Sequence, residues 1–134
     1  MSVSISGVHI AVDDIDAAVK FYRDTLGLKV TREVENEGFH WITLVTDRQP
    51  EIQIVLSEPH AGRSKEDGDA IAALLAKGSL GMVQFSSDDL NDTFDKVAAN
   101  TDAEVLQEPA DQFWGVRDAA FRDPAGNTVR IAQI

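Results

Sequence analysis

The sequence of 134 residues contains no cysteine. Disulfide bonds, thiolate nucleophiles and cysteine-ligated zinc are therefore excluded. Basic residues are scarce as well, since 12 Lys and Arg stand against 23 Asp and Glu, and the formal net charge is −11. Nucleic acid is not an expected partner, because phosphate binding requires clustered positive charge. High negative charge can favour cationic or neutral small partners, although it more often serves solubility.

Long apolar segments are also missing. No stretch approaches the ~18–20 apolar residues that span a bilayer, and the N-terminus lacks the basic and apolar regions of a signal peptide. We therefore expect a cytoplasmic protein with no membrane partner. Hydrophobic residues make up 43% and charged residues 26% of the chain, which is ordinary globular usage, and the length suits one domain.

Two segments of the chain share one pattern. Residues 8–30 and 83–105 each contain a short apolar strand, an acidic pair, an amphipathic helix and a second short strand. The acidic pairs are Asp13-Asp14 and Asp88-Asp89. They are predicted to cap helices and not to act as acid–base pairs. In the first helix the apolar positions at helical spacing are Ile15, Ala18, Val19, Tyr22 and Leu26, and Gly27 suits the helix end.

A hairpin and a connector complete the pattern. Each half ends in two strands joined by a turn, at residues 40–46 and 51–56 and again at 116–122 and 128–134. The second turn, Asp123-Pro-Ala-Gly-Asn127, is a strong hairpin signal. The sequence therefore predicts an α+β fold of two βαβββ repeats, each a cupped mixed sheet. Its single domain comprises repeat 1 at about 5–57, a connector with a helix at about 58–78 and repeat 2 at about 79–134.

Two motifs give the chain a family resemblance. The first repeat contains DxAxxFYRDTLGL at residues 16–28, and the second contains FRDPAGN at residues 121–127. In this order they resemble the vicinal oxygen chelate superfamily of glyoxalases, bleomycin-resistance proteins and dioxygenases. The resemblance is closest to its metal-free, bleomycin-resistance-like members. It covers nearly the whole chain and is specific for the fold, not for an activity.

The resemblance implies four inward-facing positions that hold His or Glu ligands in metal-dependent members. Fixed offsets from the helix-capping aspartates and from the DPAGN turn place three of them at Gly7, Met82 and Arg130. The fourth is assigned to Gln53, on a strand with no turn to anchor the count. None of these side chains suits Mg, Mn, Zn, Ni or Fe, and a guanidinium would repel a cation. We therefore expect no metal and no other cofactor.

The three histidines offer one alternative. His9 lies two residues beyond Gly7 on the same strand face, so a counting error of two would make it a metal ligand. A hydrogen-bonding role in a pocket is the favoured interpretation of His9. His40 is predicted to point away from its strand neighbours, and His60 lies in a predicted loop. The sequence contains no G-x-S-x-G elbow or phosphate-binding glycine loop, and we therefore favour a protein that is not an enzyme.

Side-chain alternation indicates which residues line the predicted cup. The candidate ligand-binding residues are His9, Phe39, Trp41, Gln53, Met82, Gln84, Phe113, Trp114, Arg117 and Arg130. Aromatic and Met side chains with a few polar donors and one cation suit a flat organic ligand. Two alternative roles stay open. Trp41 can be a core residue, and the aromatic pair at 113–114 can cover the core or a subunit interface. Pairing of Arg130 with Glu51 or Gln53, which would fill the site, stays open too.

Three functions are consistent with these features. The leading hypothesis is a metal-free small-molecule binding protein of the bleomycin-resistance type, sequestering an aromatic or heterocyclic metabolite or antibiotic. The resemblance implies a homodimer with clefts between its subunits. The second is a metal-dependent glyoxalase- or dioxygenase-type enzyme with an atypical site around His9. The third is a metal-free isomerase or lyase in which Arg130 stabilises an enolate oxyanion.

Overall fold

The computed structural model describes residues 2–100 and 102–134. The strands are β1 (Gly7–Ala11), β2 (Lys29–Asn36), β3 (Phe39–Val45), β4 (Gln53–Ser57), β5 (Met82–Ser87), β6 (Glu104–Asp111), β7 (Arg117–Arg122) and β8 (Thr128–Gln133). The helices are α1 (Ile15–Val19, continuing as a π-helical segment, Lys20–Thr25), α2 (Lys65–Ala76) and α3 (Leu90–Ala98). In the part of the chain described, no helix combines the length and the apolar character needed to cross a bilayer.

The strands form two four-stranded mixed sheets with the same topology. Their orders are β1-β4-β3-β2 and β5-β8-β7-β6. The β1–β4 and β5–β8 pairs are parallel, and all other neighbours are antiparallel. We call β1–β4 with α1 module 1, and β5–β8 with α3 module 2. The predicted α+β fold of two βαβββ repeats is therefore confirmed.

Local sequence signals account for the helix ends. Asp14 Oδ1 accepts a hydrogen bond from the Ala17 backbone N–H at 3.0 Å, and Asp89 Oδ1 accepts one from the Asp92 N–H at 3.1 Å. Each carboxylate satisfies a backbone donor that a helix start leaves unpaired. Gly27, with φ of 82°, follows the end of α1, where a left-handed residue is favourable.

The end of α1 departs from the predicted regular helix. The Leu26 N–H donates to the Phe21 carbonyl at 3.1 Å, five residues back, so the last turn is a π-helical turn. Phe21 and Tyr22 are both fully buried, with their rings edge to face at 4.9 Å. Regular helical spacing predicted only Tyr22 on the buried face, and the wider turn brings its neighbour there as well.

The two modules share one core and are joined by the turn between β7 and β8. One cluster of buried side chains contains residues from both modules. The Tyr22 hydroxyl of module 1 donates to Asp123 Oδ2 of that turn at 2.6 Å, and Asn127 Nδ2 donates to the Ala11 carbonyl at 2.9 Å. Burial, reinforced by the Asp123 carboxylate, raises the pKa of Tyr22 well above its ordinary value. The phenol therefore remains a donor at physiological pH.

Candidate functional site

Each sheet has a face turned away from its helix, which we call its concave face. The strand pairs His9–Val55 and Thr43–Val55 define this face in module 1, and Gln84–Arg130 and Ala120–Arg130 define it in module 2. In module 1 the concave face includes Gly7, His9, Arg32, Val34, Asn36, Phe39, Trp41, Thr43, Gln53 and Val55. In module 2 it includes Met82, Gln84, Ser86, Glu104, Gln107, Asp118, Ala120, Arg122, Thr128 and Arg130. The alternation predicted from the sequence agrees with these strand registers.

The structure does not bring the ten candidate residues together into one site. Four lie on the concave face of module 1: His9, Phe39, Trp41 and Gln53. Three lie on that of module 2: Met82, Gln84 and Arg130. No strand pairing joins the two sheets over the residues described. The predicted lining is therefore divided between two separate surfaces.

The other three candidates lie near the tip of the β6–β7 hairpin. Phe113 and Trp114 occupy the turn with their rings edge to face at 4.8 Å, and they are 97% and 53% exposed. Arg117 begins β7 and lies 3.7 Å from an Asp111 carboxylate oxygen. Such exposure shows that Phe113 does not cover the core of its own chain. The aromatic pair is available to a ligand or to another protein surface.

The strand registers revise one of the four positions that the resemblance implied. In module 1, Gly7 pairs with Gln53. In module 2 the equivalent residue, Met82, pairs with Thr128, and Arg130 lies two residues beyond Thr128. The position of module 1 equivalent to Arg130 is therefore Val55, two residues beyond Gln53 on the same face. The turn between β3 and β4 lacks the DPAGN motif, so the sequence offered no fixed point for the count.

The donor set does not fit the metal centre of the metal-dependent members, whichever residue holds that fourth position. A glycine, a thioether, a guanidinium and either Val55 or Gln53 provide no imidazole and no carboxylate. His9 faces Val55 across the β1–β4 pair, with no carboxylate at the paired position. Over residues 2–100 and 102–134, no three His, Asp or Glu side chains are grouped as a metal site requires.

Arg130 does not pair with Glu51 or Gln53, as one interpretation of the sequence had it, because those residues belong to module 1. Its Nε donates to Asp118 Oδ2 at 3.0 Å, and its Nη2 donates to Gln107 Oε1 at 3.4 Å. The pairing of β7 with β8 places Asp118 diagonally across from Arg130. Counting residues back from the DPAGN turn along β7 would have placed Asp118 beside Arg130 in the sheet.

Asp118 is the centre of a polar network that the sequence did not predict. It is 5% exposed, and its Oδ1 accepts hydrogen bonds from Gln112 Nε2 at 2.8 Å and Gln107 Nε2 at 3.3 Å. Burial acts to raise the pKa of Asp118, but the hydrogen bonds from Arg130 and Gln112 outweigh it and hold the pKa below its usual value. The carboxylate is therefore ionised at neutral pH and compensates the guanidinium.

Two clefts of the isolated chain are lined by neither Arg130 nor Trp41, although the first reaches the concave-face residues Gln84 and Ser86 of module 2. One, of 780 Å³, runs between the modules beside residues 26–28, 46–49 and 84–88. The other, of 590 Å³, is an acidic groove around His40 at the start of α1. A concave sheet face that is open on one side encloses little volume until something covers it. The positions of these clefts therefore do not argue against a ligand site on the concave faces.

His40 lies on the helix side of its sheet, as predicted, and is held by Glu58. Its Nδ1 lies 2.8 Å from Glu58 Oε2, and its backbone N–H donates to Glu58 Oε1 at 2.7 Å. Glu35 Oε2 lies 3.8 Å from the other ring nitrogen. The hydrogen bond with Glu58, assisted by these negative charges, raises the pKa of His40 above its ordinary value.

This geometry predicts a pH-dependent stability. A pKa raised by folding stabilises the protein fully below the unfolded-state pKa of about 6.5, and the contribution is lost as the pH rises through the higher folded-state pKa. The melting temperature of the native chain should therefore exceed that of His40→Gln at mildly acidic pH, and the difference should shrink above neutrality. Thermal melts across this range test it, with His9→Gln as control. A difference independent of pH would contradict the prediction.

The fold is similar to that of several solved structures. UcmS2 is 26% identical, with full coverage of both chains and a TM-score of 0.87. TnmS3, an antibiotic binding protein from Streptomyces sp. CB03234, is 21% identical over 99% of this chain and 98% of its own, with a TM-score of 0.75. Lactoylglutathione lyase from Agrobacterium tumefaciens is 24% identical over 99% and 95%, with a TM-score of 0.70.

Sequence comparison alone gives a consistent result. The uncharacterized protein YraH of Bacillus subtilis (strain 168) is 28% identical over 130 residues, which cover 92% of this chain and 93% of YraH. The model of the Glyoxalase/Bleomycin resistance protein/Dioxygenase superfamily matches residues 4–131. With that match across nearly its whole length, and with its doubled βαβββ fold, the chain belongs to the glyoxalase/bleomycin resistance protein/dioxygenase superfamily.

Proposed function

We propose that the chain is a metal-free small-molecule binding protein of the bleomycin-resistance type, which sequesters an aromatic or heterocyclic metabolite or antibiotic. The observation that carries this proposal is the donor set at the positions of the superfamily's metal centre, which has no imidazole and no carboxylate. The fold alone does not decide between binding and catalysis, because an antibiotic binding protein and a lactoylglutathione lyase both share it.

The residues on the concave faces support a flat, largely apolar ligand. Phe39 and Trp41 are half-buried on the concave face of module 1, where their rings can stack on a planar molecule. Met82, 58% exposed, provides an adaptable apolar surface in module 2. His9 and Gln84 add exposed hydrogen-bonding groups beside them. Apolar walls with a few polar groups are typical of small-molecule sites.

We further propose that the ligand clefts form in a homodimer, between module 1 of one copy and module 2 of the other. Strands β1 and β5 are edge strands, so each leaves one side of its backbone unpaired within its sheet. Their apolar side chains are exposed, Val8 by 48% and Met82 by 58%. Unpaired edges and exposed apolar surface favour association with another chain. A second copy would bring a second concave face opposite the first.

A ligand screen followed by two substitutions tests the binding function. Planar antibiotics and flavin-like compounds are screened by thermal shift and calorimetry, and at least one is expected to bind at micromolar concentration. Replacing Trp41 and Trp114 together by alanine should weaken that binding by about tenfold or more, because aromatic anchors carry much of such an affinity. Leu74→Ala, on the exposed side of α2, is the matched control. No micromolar binder, or unchanged affinity in the double variant, would refute the proposal.

Elemental analysis of the purified protein discriminates the enzyme alternative. Stoichiometric Ni, Zn, Mn or Fe that disappears in His9→Ala would replace the binding function with metal-dependent catalysis. The third hypothesis, in which Arg130 stabilises an enolate, is disfavoured by the Asp118 contact. A guanidinium whose charge is already compensated stabilises a developing oxyanion less well.

A further inference from the structure

Building on the proposed binding function, we propose that the concave face of module 2 selects uncharged ligands that carry a hydrogen-bond acceptor, such as a ring carbonyl or an amide, and rejects anionic ones. The group that sets this selectivity is the Arg130–Asp118 pair. Superfamily membership does not imply it, because Arg130 stands at a position where metal-dependent members hold a metal ligand, and Asp118 on the neighbouring strand is its partner in this chain.

The first step is charge compensation. Arg130 Nε and Asp118 Oδ2 are 3.0 Å apart, and the carboxylate is almost fully buried beneath the guanidinium. Arg122, at the other end of the same face, lies 3.6 Å from Glu104. Each of these two arginines therefore has a carboxylate partner. The face therefore has no excess positive charge at Arg130 or at Arg122, although the sequence alone would suggest a free cation at Arg130.

The second step concerns which atoms remain available. The oxygens of Asp118 already accept hydrogen bonds from three side chains, those of Arg130, Gln107 and Gln112. The Arg130 side chain is 25% exposed, and its Nη1 donates to no atom of the described residues. The Arg130–Asp118 pair therefore presents N–H donors of Arg130 to the ligand side, while the Asp118 oxygens are buried and occupied. An acceptor atom on the ligand satisfies these donors.

The third step excludes charged ligands. An anion entering this face would lose its hydration and would meet Asp118 close behind Arg130, so no uncompensated cation repays the desolvation. The net charge of −11 opposes anions at longer range as well. A cationic ligand would have to compete for Asp118, whose oxygens are already occupied. An uncharged acceptor needs only the free N–H groups of Arg130.

A matched pair of probes tests the selectivity on the full chain. Coumarin-3-carboxamide and coumarin-3-carboxylate have the same planar ring and nearly the same shape, and they differ by one charge at neutral pH. The amide is expected to bind about tenfold or more tighter than the carboxylate by calorimetry. Added NaCl should strengthen binding of the carboxylate, because it screens repulsion, and should leave the amide nearly unchanged.

Two variants separate the local charge from the charge of the whole chain. Asp118→Asn keeps the side-chain shape but leaves Arg130 uncompensated, so the carboxylate probe should gain about tenfold in affinity and the preference should narrow. Asp92→Asn makes the same charge change on the exposed side of α3, where Asp92 pairs with Lys96 at 3.1 Å. The control should retain the native preference.

Each outcome decides a different statement. Two results overturn the selectivity and leave the binding function standing. One is equal or tighter binding of the carboxylate by the native chain, and the other is an unchanged preference for the amide in Asp118→Asn. If Asp118→Asn does not fold, the salt series on the native chain decides, and carboxylate affinity that falls with NaCl overturns the inference. Failure of both probes to bind at millimolar concentration rejects the inference, and an empty screen with planar antibiotics separately rejects the binding function.

Discussion

Replacing Asp123 by alanine is expected to lower the free energy of unfolding by about 3–5 kcal/mol. The carboxylate is buried and accepts five hydrogen bonds. Oδ2 accepts from the Tyr22 hydroxyl and from Asn127 Nδ2, and Oδ1 accepts from the backbone N–H groups of residues 125–127. Alanine would leave the Tyr22 hydroxyl and the backbone N–H groups of residues 125 and 127 without their buried acceptor. Since Tyr22 belongs to module 1, the contact between the modules would weaken as well.

The first module supplies a matched control for this substitution. Asp47 lies in the corresponding turn between β3 and β4, is exposed, and contacts Lys29 at 2.9 Å. Asp47→Ala should change the free energy of unfolding by less than about 1 kcal/mol, because exposed ion pairs contribute little. Urea denaturation followed by circular dichroism compares both variants with the native chain. Equal effects of the two substitutions would show that the buried turn does not hold the modules together.

Gly126→Ala is expected to destabilise the chain by about 2–4 kcal/mol. Gly126 has φ of 122°, a backbone conformation that side chains rarely tolerate. A Cβ added there would lie 2.1 Å from the carbonyl oxygen of Leu75, near the end of α2. That oxygen belongs to the backbone, so the helix end or the turn would have to move. The substitution adds steric overlap to the backbone strain.

Gly115→Ala isolates the backbone strain from the steric overlap. Gly115 has φ of 90°, but no atom lies within 4 Å of an added Cβ. Its replacement should lower the free energy of unfolding by about 1–2 kcal/mol, the strain of a left-handed residue alone. Chemical denaturation of the two variants measures the difference. If Gly115→Ala proves as destabilising as Gly126→Ala, packing against α2 is not the cause.

Features that depend on near neighbours in the chain could be predicted from the sequence. Asp14 and Asp89 cap their helices, and Gly27 takes a positive φ where the sequence placed the end of the first helix. Strand alternation assigned Trp41 and Arg130 to the concave side, in agreement with the strand registers. Each of these signals depends on residues a few positions apart, so the chemistry of short segments is sufficient.

Features that depend on strand pairing or on the wider packing could not be predicted in the same way. The equivalence of Val55 with Arg130 needed the register of β1 against β4, because no turn motif anchors that strand. The π-helical turn that buries Phe21 beside its neighbour follows from packing and not from helical spacing.

Residue types and short spacings alone specified the doubled βαβββ order, the helix caps and the turn signals. The partner of Arg130 and the contact that Asp123 makes between the modules depend on the tertiary structure. Asp118 is 12 residues from Arg130, and Tyr22 is 101 residues from Asp123. A buried charge takes its partner from whichever group the fold brings within hydrogen-bond distance, and chain spacing does not specify that group.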